Sequence, residues 1–402
     1  MALVDLFCCS GGFSLGAHNA GFRVATAYDL DPILTSSFEG NFRSTKLIEA
    51  NVAQLSGATI TAAAGERVQG IFGGPPCQGF SDIGRRDVLD PRRQLLGHFF
   101  RIVAETDPDF FVMENVKGLA YEDSRLVLDE GLAMLGDRYA LHGPVILDAA
   151  HFGAATRRRR LFVIGMRRSR CDALSDADLD SFRRAPATVR DAISDLSGAR
   201  KLADMAGFDR WKIAKRGRPN GYASKLRAAD GIFTGNRIVQ HKPDVAERFG
   251  GVLQGGIDLV GRHPRLAWDG QCPTLRAGTG SDRGSYQAVR PLHPDENRVI
   301  TVREAARLQG FPDAHRFHPT IWHSFRMIGN SVSPIIAEAI FRAIGRKLEV
   351  ATNDKLFTYL PVVPCPAPPH ESMDVTDQRP PLHLEPPEAL GVRTAQRLSA
   401  AR

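Results

Sequence analysis

The chain has 402 residues, of which 43% are hydrophobic and 24% charged, a composition typical of a globular protein long enough for two domains. Lysine and arginine outnumber the acidic residues by 52 to 45, and the net charge of +7 favours a polyanionic partner such as nucleic acid. The six cysteines show neither CxxC pairing nor the His/Cys spacing of a zinc site, which argues against a disulfide framework and a bound metal and fits a reducing compartment. No apolar run approaches the roughly 20 residues of a membrane span, and a strand begins almost at the first residue. We therefore expect a cytoplasmic protein without a signal peptide.

The first 29 residues have the order of the nucleoside-binding half of a doubly wound sheet. The predicted elements are a strand Ala2–Phe7, a turn with Gly11 and Gly12, a helix Phe13–Ala20, and a strand Arg23–Tyr28 that ends at Asp29. In such a unit the turn approaches the ligand and the acid accepts hydrogen bonds from ribose hydroxyls. The glycines do not fit G-x-G-x-x-G, which favours a smaller nucleoside such as S-adenosylmethionine over a dinucleotide.

A candidate contact for an adenine ring follows. The sequence predicts a helix Pro32–Asn41 and a short strand Lys46–Glu49 that leads to Asn51 and Val52. These two residues form a third strand end, from which they could contact an adenine edge.

The loop around Cys77 is the candidate for covalent chemistry. An apolar run, Val68–Phe72, reads as a buried strand and leads to Gly-Gly-Pro-Pro-Cys-Gln-Gly. Proline fixes φ and glycine frees it, so the cysteine is presented on a defined loop that can still close, at a strand end where open α/β sheets bind ligands. A buried cysteine in a tight turn is the alternative, and we favour the nucleophile.

An acidic residue is predicted at the same edge of the sheet. A helix Arg93–Glu105 precedes the apolar strand Asp109–Met113, and Glu114 follows directly. The carboxyl ends of parallel strands share one edge, so Glu114 and Cys77 can meet in space.

Two arginines lead into a later strand. Strands are predicted at Tyr139–Leu147 and Leu161–Met166, and the second is preceded by a run of arginines. Alternate side chains of a strand share a face, so Arg158 and Arg160 can both reach an anionic or carbonyl-rich substrate.

The regular alternation of strands and helices stops after Arg167. Up to about Gly270 the chain is rich in Arg, Lys, Asp and Gly with isolated aromatic residues, which indicates a smaller domain of irregular strands suited to groove and phosphate contacts. Helices are again predicted at Val302–Gln309 and Pro334–Leu348. Beyond Leu360 clustered prolines predict a disordered tail.

Six ordered motifs between Val4 and Leu348 closely resemble those of the DNA (cytosine-5) methyltransferase family. They are Asp5-Leu6-Phe7 with Gly11-Gly12, Pro75-Pro76-Cys77-Gln78, Glu114-Asn115-Val116, Arg158 with Arg160, Arg303-Glu304 with Gln309-Gly310-Phe311-Pro312, and Gly329-Asn330-Ser331-Val332. The resemblance implies an α/β fold, that of class I S-adenosylmethionine-dependent methyltransferases: a Rossmann-like doubly wound sheet with a smaller, irregular target recognition domain. It divides the chain into catalytic parts at 1–166 and 271–350, a recognition domain at 167–270 and a Pro-rich tail at 361–402.

The resemblance also implies a role for each site residue. Cys77 would add to C6 of a flipped-out cytosine, Glu114 would hydrogen-bond N3 and the exocyclic amine, and Arg160 would hold O2, with Arg158 completing the catalytic set. The residues implied to surround S-adenosyl-L-methionine are Phe7, Gly11, Gly12, Asp29, Leu30, Asn51, Val52, Pro75, Leu95, Asn330 and Ser331. No metal is implied.

Three positions depart from the family's usual pattern. Cys9 occupies a common glycine site, Asn51 replaces an adenine-binding aspartate, and Thr156 replaces a frequent glutamine ahead of Arg158. None of them removes a reacting group, so cofactor affinity is the property that they affect.

The implied partner is duplex DNA, read by a monomer that serves a restriction-modification system, with its endonuclease acting separately, or works as a solitary enzyme. Two alternatives stay open: a tRNA cytosine-5 methyltransferase, whose relatives lack a large recognition domain, and a catalytically silent DNA-binding regulator. About a hundred residues between Met166 and Pro273 argue against the first, and the intact Cys77, Glu114 and Arg160 argue against the second.

Overall fold

A seven-stranded sheet forms the centre of the protein. The computed structural model describes residues 2–76, 94–214, 221–278 and 289–350. The strands of the sheet are β1 (Ala2–Leu6), β2 (Arg23–Asp29), β3 (Lys46–Glu49), β4 (Val68–Gly73), β5 (Phe110–Asn115), β6 (Tyr139–Asp148) and β7 (Arg159–Arg167). Their order across the sheet is β3-β2-β1-β4-β5-β7-β6.

The strand directions create a crevice beside β1. Strands β1 to β5 run parallel to one another, whereas β7 is antiparallel to both β5 and β6. The chain leaves β1 toward β2 on one side and later returns to β4 on the other side, so the topological switch point lies between β1 and β4. Ligands bind at the carboxyl ends of the strands at such a point. The predicted doubly wound sheet is confirmed.

Helices cover both faces of the sheet. The helices of the described chain are α1 (Gly12–Asn19), α2 (Phe38–Asn41), α3 (Gly57–Ala64), α4 (Gln94–Thr106), α5 (Glu122–Ala133), α6 (Asp176–Asp180), α7 (Val189–Ile193), α8 (Gly221–Leu226), α9 (Pro243–Gly250), α10 (Val302–Gln309), α11 (Ile321–Asn330) and α12 (Pro334–Lys347). Residues of α1 and α12 share one buried cluster with Phe110 and Val112, and residues of α3, α4 and α5 share another with Phe111 and Met113. Successive side chains of β5 thus enter opposite layers, which explains why the whole strand is apolar up to Glu114.

The middle of the chain forms a small antiparallel sheet beside α10 and α11. Its strands are β8 (Arg200–Met205), β9 (Phe208–Lys212) and β10 (Ile232–Phe233), in the order β10-β9-β8. Phe233 shares a buried cluster with Val302 of α10 and Phe325 of α11. A separate small cluster contains Phe249, Leu292 and Val299.

Some predicted elements differ from the structure. The predicted helix Pro32–Asn41 is wrong over most of its length, because only Phe38–Asn41 is helical. In the preceding turns Asp31 accepts the N–H groups of Ile33 and Leu34, and the hydroxyls of Thr35 and Ser36 donate to main-chain carbonyls. Such local bonds compete with a regular helix. The helices α3, α5 and α11 were not predicted.

One stretch, Ile321–Lys347, is long and apolar enough to cross a membrane by length and composition alone, contrary to the expectation from the sequence. It comprises α11 and α12, and 78% of its most apolar 18-residue segment is buried inside the fold. The apolar side chains of α12 pack against α1 and the sheet, so they serve the core.

Candidate active site at the carboxyl edge of the sheet

The turn after β1 has a strained backbone. Phe7 and Cys9 both have positive φ, of 64° and 49°, a region that non-glycine residues rarely adopt. This explains why glycine is common at the position of Cys9. The N–H of Cys9 donates to Oδ2 of Asp29 over 2.8 Å, so the turn is fastened to the end of β2.

Gly11 and Gly12 are required by packing within the protein. A β-carbon at Gly11, whose φ is 82°, would lie 2.2 Å from the ring of Phe42, and one at Gly12 would lie 2.3 Å from the carbonyl oxygen of Val332. Gly11 lets the turn lie against the residue that follows α2, and Gly12 lets it lie against the segment that follows α11. Their direct contact with a cofactor stays a prediction.

Asp29 is a preorganised acceptor at the end of β2. Its Oδ1 accepts the N–H groups of Leu30 and Asp31 over 2.8 and 3.0 Å. Burial raises the pKa of Asp29 against the effect of these hydrogen bonds. Leu30 is 59% exposed although it is apolar. A carboxyl acceptor beside an exposed apolar side chain has the chemistry needed for a ribose hydroxyl and a purine ring, so these residues fit a nucleoside cofactor.

Asn51 and Val52 lie in a short 3-10 turn after β3. Oδ1 of Asn51 accepts the N–H of Ala53 over 3.0 Å, and a carbonyl oxygen has a second lone pair for a further donor. Val52 is only 2% exposed and belongs to the core that contains α4. A contact of its side chain with an adenine therefore has little support, and its main chain is the better candidate.

The junction of α11 and α12 meets the turn after β1. Oγ of Ser331 lies 2.6 Å from Oγ of Ser10 and donates to the carbonyl of Met327 over 2.8 Å. Nε2 of Gln309 donates to the carbonyls of Ile328 and Ser331. The buried Gln309 thus fixes the turn that carries Asn330, whose side chain is exposed.

Pro75 and Leu95 lie on either side of residues 77–93, which are outside the described ranges. The carbonyl of Pro75 accepts Nδ2 of Asn115 over 3.1 Å, which ties the loop after β4 to the end of β5. Leu95 is half-buried in the first turn of α4. Asn115 was not assigned a role from the sequence, although its place directly after Glu114 in a motif was a usable signal.

Glu114 and Arg160 form a close ion pair at this edge. Nε of Arg160 lies 3.0 Å from Oε1 of Glu114, and Glu114 is 8% exposed. Burial raises the pKa of Glu114, and the positive charges of Arg160 and Arg158 oppose that rise. A β-carbon at Gly74 would lie 3.0 Å from Oε2 of Glu114, so this glycine leaves room for the carboxyl group. Burial and the two arginines thus act in opposite directions on the pKa of this carboxyl group, and burial has the larger effect.

Arg158 has different partners from Arg160. It is 2% exposed, and its guanidinium donates to the carbonyls of Leu275 over 3.1 Å and Gly329 over 2.8 Å. Both arginines act electrostatically on the Glu114 carboxyl group, and their common reach toward a substrate stays a prediction. The guanidinium of Arg158 joins the start of β7 to the turn before Asn330. Thr156, one of the three residues that depart from the family's usual pattern, donates from Oγ1 to the carbonyl of Cys272.

Cys77 lies outside the described residues, as does Cys365. The four described cysteines are Cys8, Cys9, Cys171 and Cys272, and burial raises the pKa of each thiol, to about 12 for Cys9. A raised pKa disfavours the nucleophilic thiolate. Within the described ranges, no group of three or more His, Cys, Asp or Glu residues could hold a metal ion.

The sheet order and the polar groups at its carboxyl edge define a class I S-adenosylmethionine-dependent methyltransferase. The family model for C-5 cytosine-specific DNA methylases matches residues 1–346, and the chain belongs to this family. It is therefore a DNA (cytosine-5) methyltransferase whose cofactor is S-adenosyl-L-methionine.

Individual relatives agree with this placement. The type II methyltransferase M.XorII of Xanthomonas oryzae pv. oryzae is 38% identical over 373 residues, which cover 88% of this chain and 85% of the relative. An E. coli prophage protein described as a DNA modification methyltransferase has a crystal structure with a TM-score of 0.75 and 36% identity, covering 87% of this chain and 99% of that one. The Dnmt2 methyltransferase of S. pombe, at 17% identity and a TM-score of 0.57 over 87% of this chain and 98% of its own, shares the fold.

Proposed function

We propose that this enzyme methylates C5 of a flipped-out cytosine within a specific duplex sequence, through a covalent bond between Cys77 and C6 of the base. The observation that carries the proposal is the Glu114–Arg160 pair, with Nε and Oε1 3.0 Å apart, at the end of β5. The pair lies beside Gly74 and Pro75, and Cys77 follows two residues later in the chain. Because the chain reaches Cys77 only two residues after Pro75, we expect its thiol near this acid and cation, at the edge where an α/β sheet binds its ligand.

Cys77 supplies the nucleophile. Its thiolate forms a bond to C6, and the electron pair of the C5–C6 double bond becomes available at C5. S-adenosyl-L-methionine, when bound, supplies the electrophilic methyl group that C5 takes. The C5 proton then passes to solvent water, the electron pair of that C–H bond restores the C5–C6 double bond, and the Cys77–C6 bond breaks to release the thiolate. An ordinary thiol with a pKa of about 8.5 is only partly ionised at neutral pH, so the site must assist its ionisation.

Glu114 stabilises the charge that addition places on the ring. With a raised pKa it can hold a proton and donate it to N3 while its other oxygen accepts from the exocyclic amine. Arg160, whose Nε lies 3.0 Å from Oε1 of Glu114, would hold O2 of the same base.

Arg158 acts as a positioning residue. Its two main-chain partners are the carbonyls of Leu275 and of Gly329, and Gly329 directly precedes the exposed Asn330. We propose that Arg158 holds the turn that carries Asn330 in a fixed position relative to β7. Asp29 and Leu30 would contact the nucleoside of the cofactor, and Phe7, Gly11, Gly12, Asn51, Val52, Pro75, Leu95, Asn330 and Ser331 complete the proposed cofactor set.

The basic middle region is proposed as the target recognition domain, with catalytic parts at 1–166 and 271–350. Contacts of Arg265 with His293 support adding the segment 289–299 to this region. We further propose that the enzyme acts as a monomer in the cytoplasm, associated with the nucleoid, and modifies DNA alongside a restriction endonuclease or alone.

Transfer of labelled methyl groups tests the proposal. Wild-type enzyme should label duplex DNA at one sequence and leave tRNA unlabelled, and DNA containing 5-fluorocytosine at that sequence should become covalently attached because fluorine at C5 cannot leave as a proton. Labelling of tRNA instead would favour the tRNA alternative. Sequence-specific binding without any transfer would favour the silent regulator.

A further inference from the structure

Four apolar side chains are exposed within one short segment of the middle region. Leu253 and Leu259 are each 82% exposed, Val260 is 73% exposed and Ile257 is 52% exposed. Single exposed apolar residues are ordinary on protein surfaces, but a group of large ones marks an interaction site. We call residues 253–263 the apolar hairpin.

The apolar hairpin has a defined shape. Ile257 and Pro264 pair as an antiparallel bridge, and the N–H of Asp258 donates to the carbonyl of His263 over 2.9 Å. A β-carbon at Gly261 would lie 2.4 Å from the ring of His263, so the apex closes tightly. Arg262 has a φ of 59°, which also fixes the turn.

Buried polar contacts hold the hairpin on the protein. Asp258 is 2% exposed, and its carboxylate accepts Nε of Arg248 over 3.0 Å and the N–H of Gly261 over 2.7 Å. Arg265, at the root, is 5% exposed and donates to the carbonyls of Phe249 and His293. The exposed apolar groups are therefore presented by a rigid frame.

The hairpin is also linked to the edge of the sheet that carries the active site. Nδ1 of His263 lies 2.8 Å from the carbonyl oxygen of Arg290, and the Arg290 guanidinium lies 4.4 Å from the centre of the Phe325 ring in α11. Helix α11 ends at Asn330, which is one of the residues proposed to contact the cofactor.

Charge favours a polyanion as the occupant. Asp258 is the only acidic residue between Gly251 and Leu266, and it is buried against Arg248. Arg262 at the apex is exposed. A second copy of the chain is a weaker candidate, because stable protein interfaces use roughly 20 to 30 residues on each side.

We propose that the apolar hairpin enters the major groove of the duplex and that Leu259 and Val260 contact the 5-methyl group of a thymine in the recognised sequence. Apolar side chains read thymine in this way, since its methyl group is the apolar feature of the major-groove edge. This inference rests on the proposed function and assigns part of its sequence specificity to named residues.

A cycle of protein and DNA changes tests the contact. Sequencing of methylated DNA first gives the recognised sequence, and each thymine in it is then replaced in turn by uracil, which lacks the methyl group. At one position this replacement should lower kcat/KM of the wild-type enzyme roughly 5- to 100-fold. The variant Leu259→Ala with Val260→Ala should lose a similar factor on the natural site and respond less than twofold to that uracil.

Leu126→Ala is the matched control, because Leu126 is 67% exposed on α5, outside the hairpin. It should keep the full effect of uracil, and both variants should keep the wild-type melting temperature and cofactor affinity. The proposal is overturned if the double variant keeps the uracil effect, if it methylates as well as wild type, or if the recognised sequence has no thymine. A further outcome would also overturn it: wild type is a dimer, and the double variant is a monomer that still methylates DNA. The hairpin would then bind a second copy of the chain. Absence of any transfer by wild type would instead refute the proposed function.

Discussion

The carboxyl edge of the large sheet and the apolar hairpin place their functional groups in opposite surroundings. At the edge, the polar Glu114 and Arg160 are held in a largely apolar frame, with Glu114 only 8% exposed. In the hairpin, Leu259 and Val260 are exposed, and a buried polar frame of Asp258 and Arg265 supports them. Polar groups are thus buried at the sheet edge and apolar groups are exposed in the hairpin, both of which are unfavourable by themselves. In each case the surrounding residues supply the compensating stability.

The largest expected effect is at the nucleophile of the sheet edge. Cys77→Ser should lower turnover by about 10⁴-fold or more, because a serine hydroxyl has a far higher pKa than a thiol and cannot add to C6 at neutral pH. Cofactor and DNA binding should persist, measured by calorimetry and gel shift. Cys171→Ser, at a partly buried cysteine away from the edge, is the control. A fully active Cys77→Ser enzyme would show that the covalent step uses another group.

A smaller loss is expected when the acid of the same edge is changed. Glu114→Gln keeps the shape of the side chain but removes its ability to carry a proton to N3, so single-turnover methylation should slow by about 10²- to 10⁴-fold. Cofactor affinity should change little. Glu130→Gln, at an exposed residue of α5, provides the comparison. Unchanged single-turnover rates would rule out Glu114 as the acid.

On the recognition side, Arg265→Ala should affect DNA methylation without disturbing the cofactor site. It removes the donor shared by the carbonyls of Phe249, His293, Pro294 and Glu296. The carbonyls of Phe249 and Glu296 keep main-chain N–H donors, whereas a buried carbonyl that loses its donor costs about 1 to 3 kcal/mol. We expect faster hydrogen exchange across 243–299 and at least tenfold weaker DNA binding, with S-adenosyl-L-methionine affinity unchanged. Arg125→Ala, at an exposed ion pair of α5, is the control. Equal loss of cofactor affinity would mean that the two regions are not separable.

The smallest expected effect concerns stability and pH. The pKa of Glu114 is raised above its ordinary 4.5, so its contribution to stability is fully present below about pH 4.5 and is lost as the pH rises through the raised value. The unfolding free energy of wild type relative to Glu114→Gln should therefore fall between pH 4 and 8, by about 1.4 kcal/mol for each unit of pKa difference. Urea unfolding at several pH values measures this. A difference that grows in favour of wild type would mean that Arg160 outweighs the cost of burial.

The elements that alternate regularly could be predicted from the sequence. The bounds of β3 and α10 were predicted as the structure has them, and those of β4 differ by one residue, because their apolar periodicity and the turn residues around them are local signals. The motif order also identified the family, which the family model confirms.

Tertiary structure alone decided which polar groups meet. Alternation along a strand predicts that Arg158 and Arg160 share a face. It does not indicate that Arg158 donates to the carbonyls of Leu275 and Gly329, more than a hundred residues away in the chain. Likewise Leu259 and Val260 are residue types that usually lie in the core, and only the fold shows that they are exposed. Local sequence fixes the conformation that a segment favours, whereas burial and pairing depend on which distant segments pack against it, and no local periodicity encodes that.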